Sequence, residues 1–219
     1  MFSKETRRRR VRKIIPILRE EYPDAGSRLN FSNPLELLIA SILAAQCTDD
    51  RVNEVTKDLF RKYRTAKDYA EADLNELMGE IRSTGTFRRK AARIKFCCED
   101  IVSRYDGEVP SQMEELADLP GVGRKTANMV LVNWFGLPGI IVDTHVARVS
   151  NRIGLSDRTK AQANKMEADL MEVVAKKNWS LFSHLLVFHG RKICLARKPK
   201  CDQCRINRLC DYFRGHTRF

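Results

Sequence analysis

Apolar residues return at intervals of three and four along most of the 219-residue chain, the repeat expected of one buried face on an α-helix. The pattern predicts helices over 5–21, 35–46, 49–63, 73–83, 87–104, 111–118, 124–135, 144–153, 160–176 and 179–193. Their boundaries carry matching punctuation. Asn33 stands where a side-chain oxygen can cap a helix start, and Pro34 occupies the first-turn position that needs no N–H. Gly85, Asp106-Gly107-Glu108-Val109-Pro110 and Gly136-Leu137-Pro138-Gly139 interrupt the repeat. Residues 35–46 are apolar almost throughout and read as a buried helix. Alternating apolar and polar runs are absent, and Ile140-Ile141-Val142 is too short to support a sheet. The expected fold class is all-α. No repeat of solenoid length is present, and residues 194–219 read as basic, cysteine-rich loops.

Charge narrows the partners. The chain has 40 Lys and Arg against 28 Asp and Glu, a formal net charge of +12 and a pI near 9.6. So basic a chain points to a polyanion, nucleic acid first. In 5–21, Arg7 to Arg10, Arg12 and Lys13 are expected on the polar face, either solvated or turned to phosphates. No apolar run approaches the roughly 18–20 residues of a membrane span. Ile14-Ile15-Pro16-Ile17-Leu18 is too short and interrupted for a secretory signal. The seven cysteines are an odd number, and four of them fall within 194–210, which suits a reducing compartment and a metal site better than disulfides. A cytoplasmic, nucleoid-associated monomer with no membrane partner is expected.

The densest signal is Leu119-Pro120-Gly121-Val122-Gly123-Arg124-Lys125-Thr126-Ala127. A helical approach meets Pro120 and two glycines, and the helical repeat restarts at once. Glycines two apart admit torsions closed to other residues, so the chain can turn tightly and expose its N–H groups. With the start of the next helix, those donors make a seat for an anion such as a phosphate. This is a helix–hairpin–helix, with Gly121 and Gly123 facing the phosphate. Lys125 falls in the first turn of the second helix. It reads either as a lysine reaching into solvent or as an amine nucleophile. A nucleophile must be neutral, and an ordinary lysine of pKa about 10.4 is neutral roughly once in 2,500 at pH 7. A helix N-terminus supplies only about 0.3–1 kcal/mol toward that form, so desolvation would have to supply the rest.

Two further groups carry chemistry. Cys194, Cys201, Cys204 and Cys210, with a C-x2-C at the centre, can surround one metal centre, and spacing alone favours zinc. The loop between the first two, Leu195-Ala196-Arg197-Lys198-Pro199-Lys200, would present cations from a pinned frame. In Val142-Asp143-Thr144-His145, Asp143 is either a helix N-cap or a carboxylate steadying positive charge on a sugar. His145 and His189 read as structural histidines before catalysts.

Taken together and in order, Leu119–Ala127, Val142–His145 and the four-cysteine tail resemble the endonuclease III family of DNA glycosylases. Asn30-Phe31-Ser32, Pro34 to Ala40, Ala45-Gln46-Cys47-Thr48-Asp49, His189-Gly190-Arg191 and Ala196-Arg197-Lys198-Pro199 extend the likeness over nearly the whole chain. The resemblance implies a two-lobed helix–hairpin–helix glycosylase fold with DNA across its cleft. A six-helix barrel would span about 27–137, and residues 1–26 and 138–219 would form an iron–sulfur domain. It replaces zinc by a [4Fe–4S] cluster on the same cysteines. Lys125 matches the Schiff-base lysine and Asp143 the catalytic aspartate.

The implied activity is that of a bifunctional DNA glycosylase/AP lyase of base excision repair. Such an enzyme removes oxidised or ring-saturated pyrimidines of the thymine glycol type from duplex DNA and cleaves 3′ to the abasic site by β-elimination. Gln46 matches the residue that fills the gap left by a flipped base. Thr86 stands where the family commonly has an aliphatic wedge, with Phe87 next to it. His145, Arg197 and Lys198 join the expected DNA-facing set, and Cys47 is expected to be merely packed. A monofunctional relative acting on adenine or mismatched thymine, or a simple DNA-binding module, is the rival reading. The Lys125 and Asp143 pair argues against both, because the adenine-mismatch enzymes lack the hairpin lysine and a binder needs neither residue.

Overall fold

The computed structural model describes residues 3–216, with the side chains of Lys160 and His216 outside the description. It is helical, with no strand among the described residues, as the periodicity predicts. Helix α1 (Lys4–Glu21) is followed by α2 (Pro34–Leu43), α3 (Asp49–Lys62), α4 (Ala66–Glu71), α5 (Leu74–Glu80), α6 (Phe87–Tyr105), α7 (Met113–Asp118) and α8 (Arg124–Asn133). Next come α9 (Thr144–Arg152), α10 (Ala163–Val173), α11 (Trp179–Lys192) and α12 (Asp211–His216). Two compact units result. One is Ser27–Leu137, and the other combines Met1–Gly26 with Pro138–Phe219.

In the continuous unit, α2 is the central element. Asn33 Oδ1 accepts from the Glu36 N–H at 2.8 Å, Pro34 takes the first turn, and the helix buries Leu35, Leu37, Leu38, Ile39, Ala40, Ile42 and Leu43. Burial on nearly every side explains its lack of a polar face. Around it pack Val52 and Leu59 of α3, Leu77 of α5, Ile94, Cys97, Cys98 and Ile101 of α6, and Ala127, Val130 and Leu131 of α8. Cys47 leans on the same core, as expected. In the two-segment unit, Val11, Ile14, Ile15 and Leu18 of α1 meet Val146 and Val149 of α9, Met166 and Leu170 of α10, and Phe182, Leu185 and Leu186 of α11.

Several expected boundaries move. Helix α2 stops at Leu43 rather than 46, and Gln46, three residues on, takes a left-handed backbone, φ 55°. The helix expected over 73–83 ends at Glu80 and continues as a 3-10 turn, Arg82–Thr84. That expected over 160–176 opens as a 3-10 turn, Lys160–Gln162, and its α-helical part ends at Val173. Helix α4 was not expected, since only Ala66 and Tyr69 are buried along it. A reciprocal Thr65–Asp68 capping box starts it. The cysteine tail is not wholly loop, because α12 follows Cys210 directly.

The arginine-rich face of α1 is also corrected: Arg7 and Arg10 point inward. Arg7 Nη1 donates to the Leu155 carbonyl at 3.2 Å, while Arg10 Nη1 donates to the Ile153 carbonyl and pairs with Asp211 Oδ2 at 2.8 Å. These carbonyls belong to the turn after α9, where Gly154 has φ +71°. A Cβ there would run into the Asp211 carboxylate and the Arg10 guanidinium. Gly154→Ala combines that clash with a left-handed torsion. It is expected to cost about 2–4 kcal/mol of stability, read as a lowered urea midpoint.

Candidate functional site

The hairpin is built by α7, residues 119–123 and α8. Leu119 and Val122 are buried, and the Val122 N–H donates to the Leu119 carbonyl at 3.0 Å, so apolar anchors hold the turn to the core. Gly121 has φ +80°, and a Cβ on it would lie 2.8–2.9 Å from the Cβ, Cγ and Cδ of Arg93. The glycine is needed twice, for its torsion and because the stem of exposed Arg93 lies across it. Gly123 is the N-cap of α8 and brings no side chain to cap it, which leaves first-turn N–H groups for a ligand. Lys125 is exposed on that turn, so the protein alone does not desolvate it.

Two other turns of the same unit carry expected residues. Gln46 is exposed just beyond α2. Thr86 is the exposed residue at the start of α6, with φ 42° after Gly85 at φ 68°. Phe87 is half-buried against the core, with the Arg88 guanidinium 5.4 Å from its ring centroid. The hydroxyl residue therefore forms the tip and the aromatic its support.

In the two-segment unit, Asp143 is the N-cap of α9. Its Oδ1 accepts from the N–H groups of both His145 and Val146 at 2.8 Å. Both bonds fall on one oxygen, so the carboxylate is fixed in direction while Oδ2 is not used by the cap. His145 Nδ1 lies 3.1 Å from Arg148 Nη2. A guanidinium only donates, so Nδ1 accepts and the neutral ring carries its proton on Nε2. Burial, more than any nearby charge, lowers the pKa of His145. Arg148 also donates to the carbonyls of Cys194, at 3.0 Å, and Gly190, at 2.8 Å. Gly190 permits this closeness, because a Cβ there would sit 3.0 Å from His145 Cβ and 3.1 Å from Arg148 Nη2.

The four tail cysteines line one small cavity together with Arg152, His189, Ile206 and Phe213. Arg152 pins the first of them. Its guanidinium donates to Cys194 Sγ at 3.3 Å, the Leu195 carbonyl at 2.6 Å and the Ala196 carbonyl at 3.0 Å, and lies 4.7 Å from the Tyr212 ring centroid. The loop beyond exposes Arg197 and Lys198, the latter at φ 49°. His189 is buried between the Tyr22 hydroxyl, 3.1 Å away, and Cys204 Sγ, 3.5 Å away, and burial lowers its pKa to about 4.

Arg148 and Arg152 were not singled out from sequence. Their spacing with His145 (three, then four) marks one face of α9, and that polar stripe was the available signal.

The hairpin and the helical architecture define a DNA-repair protein of the HhH-GPD superfamily. The sequence model of that superfamily, "HhH-GPD superfamily base excision DNA repair protein", matches residues 39–176. Endonuclease III of Synechocystis sp. is 47% identical over 206 residues, covering 94% of this chain and 93% of the relative. That of Bacillus subtilis is 48% identical over 189 residues, 86% of each chain. A trapped endonuclease III–DNA covalent intermediate, in an estranged-adenine complex, superposes with a TM-score of 0.92 at 44% identity, each chain covered in full. A thermostable thymine-DNA glycosylase gives 0.82 at 25% identity, covering 94% of this chain and 98% of its own. The chain belongs to the endonuclease III family and is a base excision repair DNA glycosylase and AP lyase acting on pyrimidines. Its partner is DNA, and no described helix is long and apolar enough to cross a membrane.

Proposed function

We propose that Lys125 is the nucleophile and Asp143 the carboxylate that assists it on oxidised or ring-saturated pyrimidines such as thymine glycol. The observation that carries this reading is an exposed lysine on the uncapped first turn of α8. Phosphate bound by the N–H groups of Gly121 and Gly123 fixes the register of the backbone without reading sequence. The damaged nucleotide leaves the stack, which is easier where damage has weakened stacking. Gln46 fills the gap, while Thr86, backed by Phe87, enters from the turn before α6. The Lys125 amine then attacks C1′, and the base leaves with the glycosidic electron pair and a proton. Asp143 Oδ2, free of the helix cap, stabilises the cationic sugar and relays protons. The sugar opens to an imine, C2′ loses a proton, and the 3′ phosphate departs by β-elimination. His145 Nε2–H, Arg197 and Lys198 contact the DNA backbone.

Arg93 extends the phosphate seat. Its stem crosses Gly121, in the turn that carries the hairpin donors. Arg93→Ala is expected to weaken binding to all duplexes alike and to lower the slope of log affinity against log salt by about 0.9. Titrations across a salt series check this, and an unchanged slope would remove Arg93 from the interface.

The tail is read as holding the [4Fe–4S] cluster that the family resemblance implies, and what supports a metal centre there is that four thiols line a single cavity. Burial raises the pKa of Cys201, Cys204 (to about 12) and Cys210, a penalty on thiolates that a cationic metal centre offsets. Cys194, Cys201, Cys204 and Cys210 would hold the cluster, whose iron–sulfur bonds cross-link the tail. Arg152 supports the Cys194 sulfur and fixes the basic loop. The protein is accordingly expected to act in the cytoplasm, at the nucleoid, as a monomer.

Purified protein tests both halves of the reading. It should nick a thymine glycol duplex and carry about four irons per chain with visible absorbance, from the cluster type assigned. Stoichiometric zinc without colour would restore the single-ion alternative, and an inert protein on that duplex would remove the substrate assignment.

A further inference from the structure

Lys90, the fourth residue of α6, is only 2% exposed, although a lysine is among the costliest side chains to bury. Its Nζ donates to two carbonyls at 2.7 Å each, those of Leu43 and Thr84. Leu43 is the last residue of α2, and Thr84 closes the 3-10 turn before α6. Each carbonyl stands at the root of an exposed turn. Beyond Leu43 the chain reaches Gln46 at φ 55°, and beyond Thr84 it reaches Thr86 at φ 42°. Both tips hold a left-handed backbone that non-glycine residues rarely adopt without outside restraint.

A space-filling residue here would be Leu or Met, which carries no desolvation penalty. The buried amine instead supplies donors to two separate turns of the same unit. Burial lowers the pKa of Lys90, and an amine donates to both carbonyls in either protonation state.

We propose that Lys90 is a positioning residue for base flipping: one buried amine joins the Gln46 turn and the Thr86 turn so that both enter the duplex as a single rigid insert. This rests on the reading of Gln46 and Thr86 as DNA-inserting side chains. Two turns hinged independently would each have to be ordered when the base leaves the stack, and a common tether removes that cost beforehand.

The test uses the full chain and a duplex carrying a tetrahydrofuran abasic analogue opposite 2-aminopurine, whose fluorescence rises when it unstacks. Lys90→Met is expected to lose most of that rise and to slow single-turnover release of thymine glycol, with KM little changed. Lys90→Arg, which keeps the donors, is expected to retain both. The decisive readout is a double-mutant cycle. With Lys90 present, Gln46→Ala and Thr86→Ala together should slow base release less than the product of the single effects, by at least about threefold. In Lys90→Met the two effects should simply multiply.

Multiplicative effects with Lys90 present would overturn the proposal, as would a full fluorescence rise in Lys90→Met. If Lys90→Met does not fold, the cycle on the native background decides alone. Failure of the underlying reading looks different. Then Gln46→Ala and Thr86→Ala each leave the fluorescence rise intact, and the proposal falls with the reading.

Discussion

Lys125→Gln is expected to abolish strand cleavage while leaving the duplex bound within about threefold. Glutamine is uncharged and has no nucleophilic lone pair on nitrogen, so attack on C1′ and the imine are both lost. Removing a nucleophile that works as part of a unit costs on the order of 1,000-fold or more in rate. Binding should survive because the phosphate seat is made by backbone N–H groups at the uncapped start of α8, with Gly121 and Gly123 unchanged. The exposed position of Lys125 also means that its replacement leaves no cavity and no unpaired buried group. Gel-shift titrations beside nicking assays separate the two effects. Wild-type nicking by this variant would end the assignment of Lys125.

The second large effect is expected from Asp143→Asn, and its value lies in what stays the same. Asp143 caps α9 through Oδ1 alone, accepting from His145 and Val146 at 2.8 Å. Asparagine caps as well as aspartate does, so stability should change by less than about 0.5 kcal/mol. The charge that steadies a cationic sugar is lost, along with the ability to relay a proton. Base release should therefore slow by about 100- to 10,000-fold with the urea midpoint nearly unchanged. Asp143→Ala serves as contrast: it removes the cap as well and should cost about 1 kcal/mol of stability. Unchanged turnover in Asp143→Asn would reduce the residue to its cap.

What could be read from the sequence was local. The Asn33–Pro34 start of α2 and Gly121 of the hairpin are signals in which a residue acts on its own neighbours, and the structure gives them the bonds and the torsion expected, whereas Gly123, at φ −93°, keeps a backbone open to any residue. Asp143 was legible as a cap for the same reason. Helix α4 escaped because six residues with two buried positions show no period, although its capping box was visible in Thr65 and Asp68.

The remaining differences are long-range. Arg7 and Arg10 looked like part of a polar face because their partners, the Leu155 and Ile153 carbonyls, lie 148 and 143 positions downstream. Arg148 and Arg152 reach Cys194 from 46 and 42 positions away. Lys90 reads as one more cation after Arg88 and Arg89 until the carbonyl of Leu43, 47 positions earlier, is found on its Nζ. Pattern reports which face of a helix is apolar. It does not report which distant carbonyl will turn a cation inward.

Imine formation at Lys125 is the central claim, and borohydride reduction during turnover tests it most directly. The wild-type protein, mixed with a thymine glycol duplex and borohydride, should give a stable protein–DNA adduct whose cross-linked peptide contains Lys125. The Lys125→Gln variant should bind the same duplex and give none. Base release and nicking without any trapped species, or an adduct mapped to a different amine, would contradict the account.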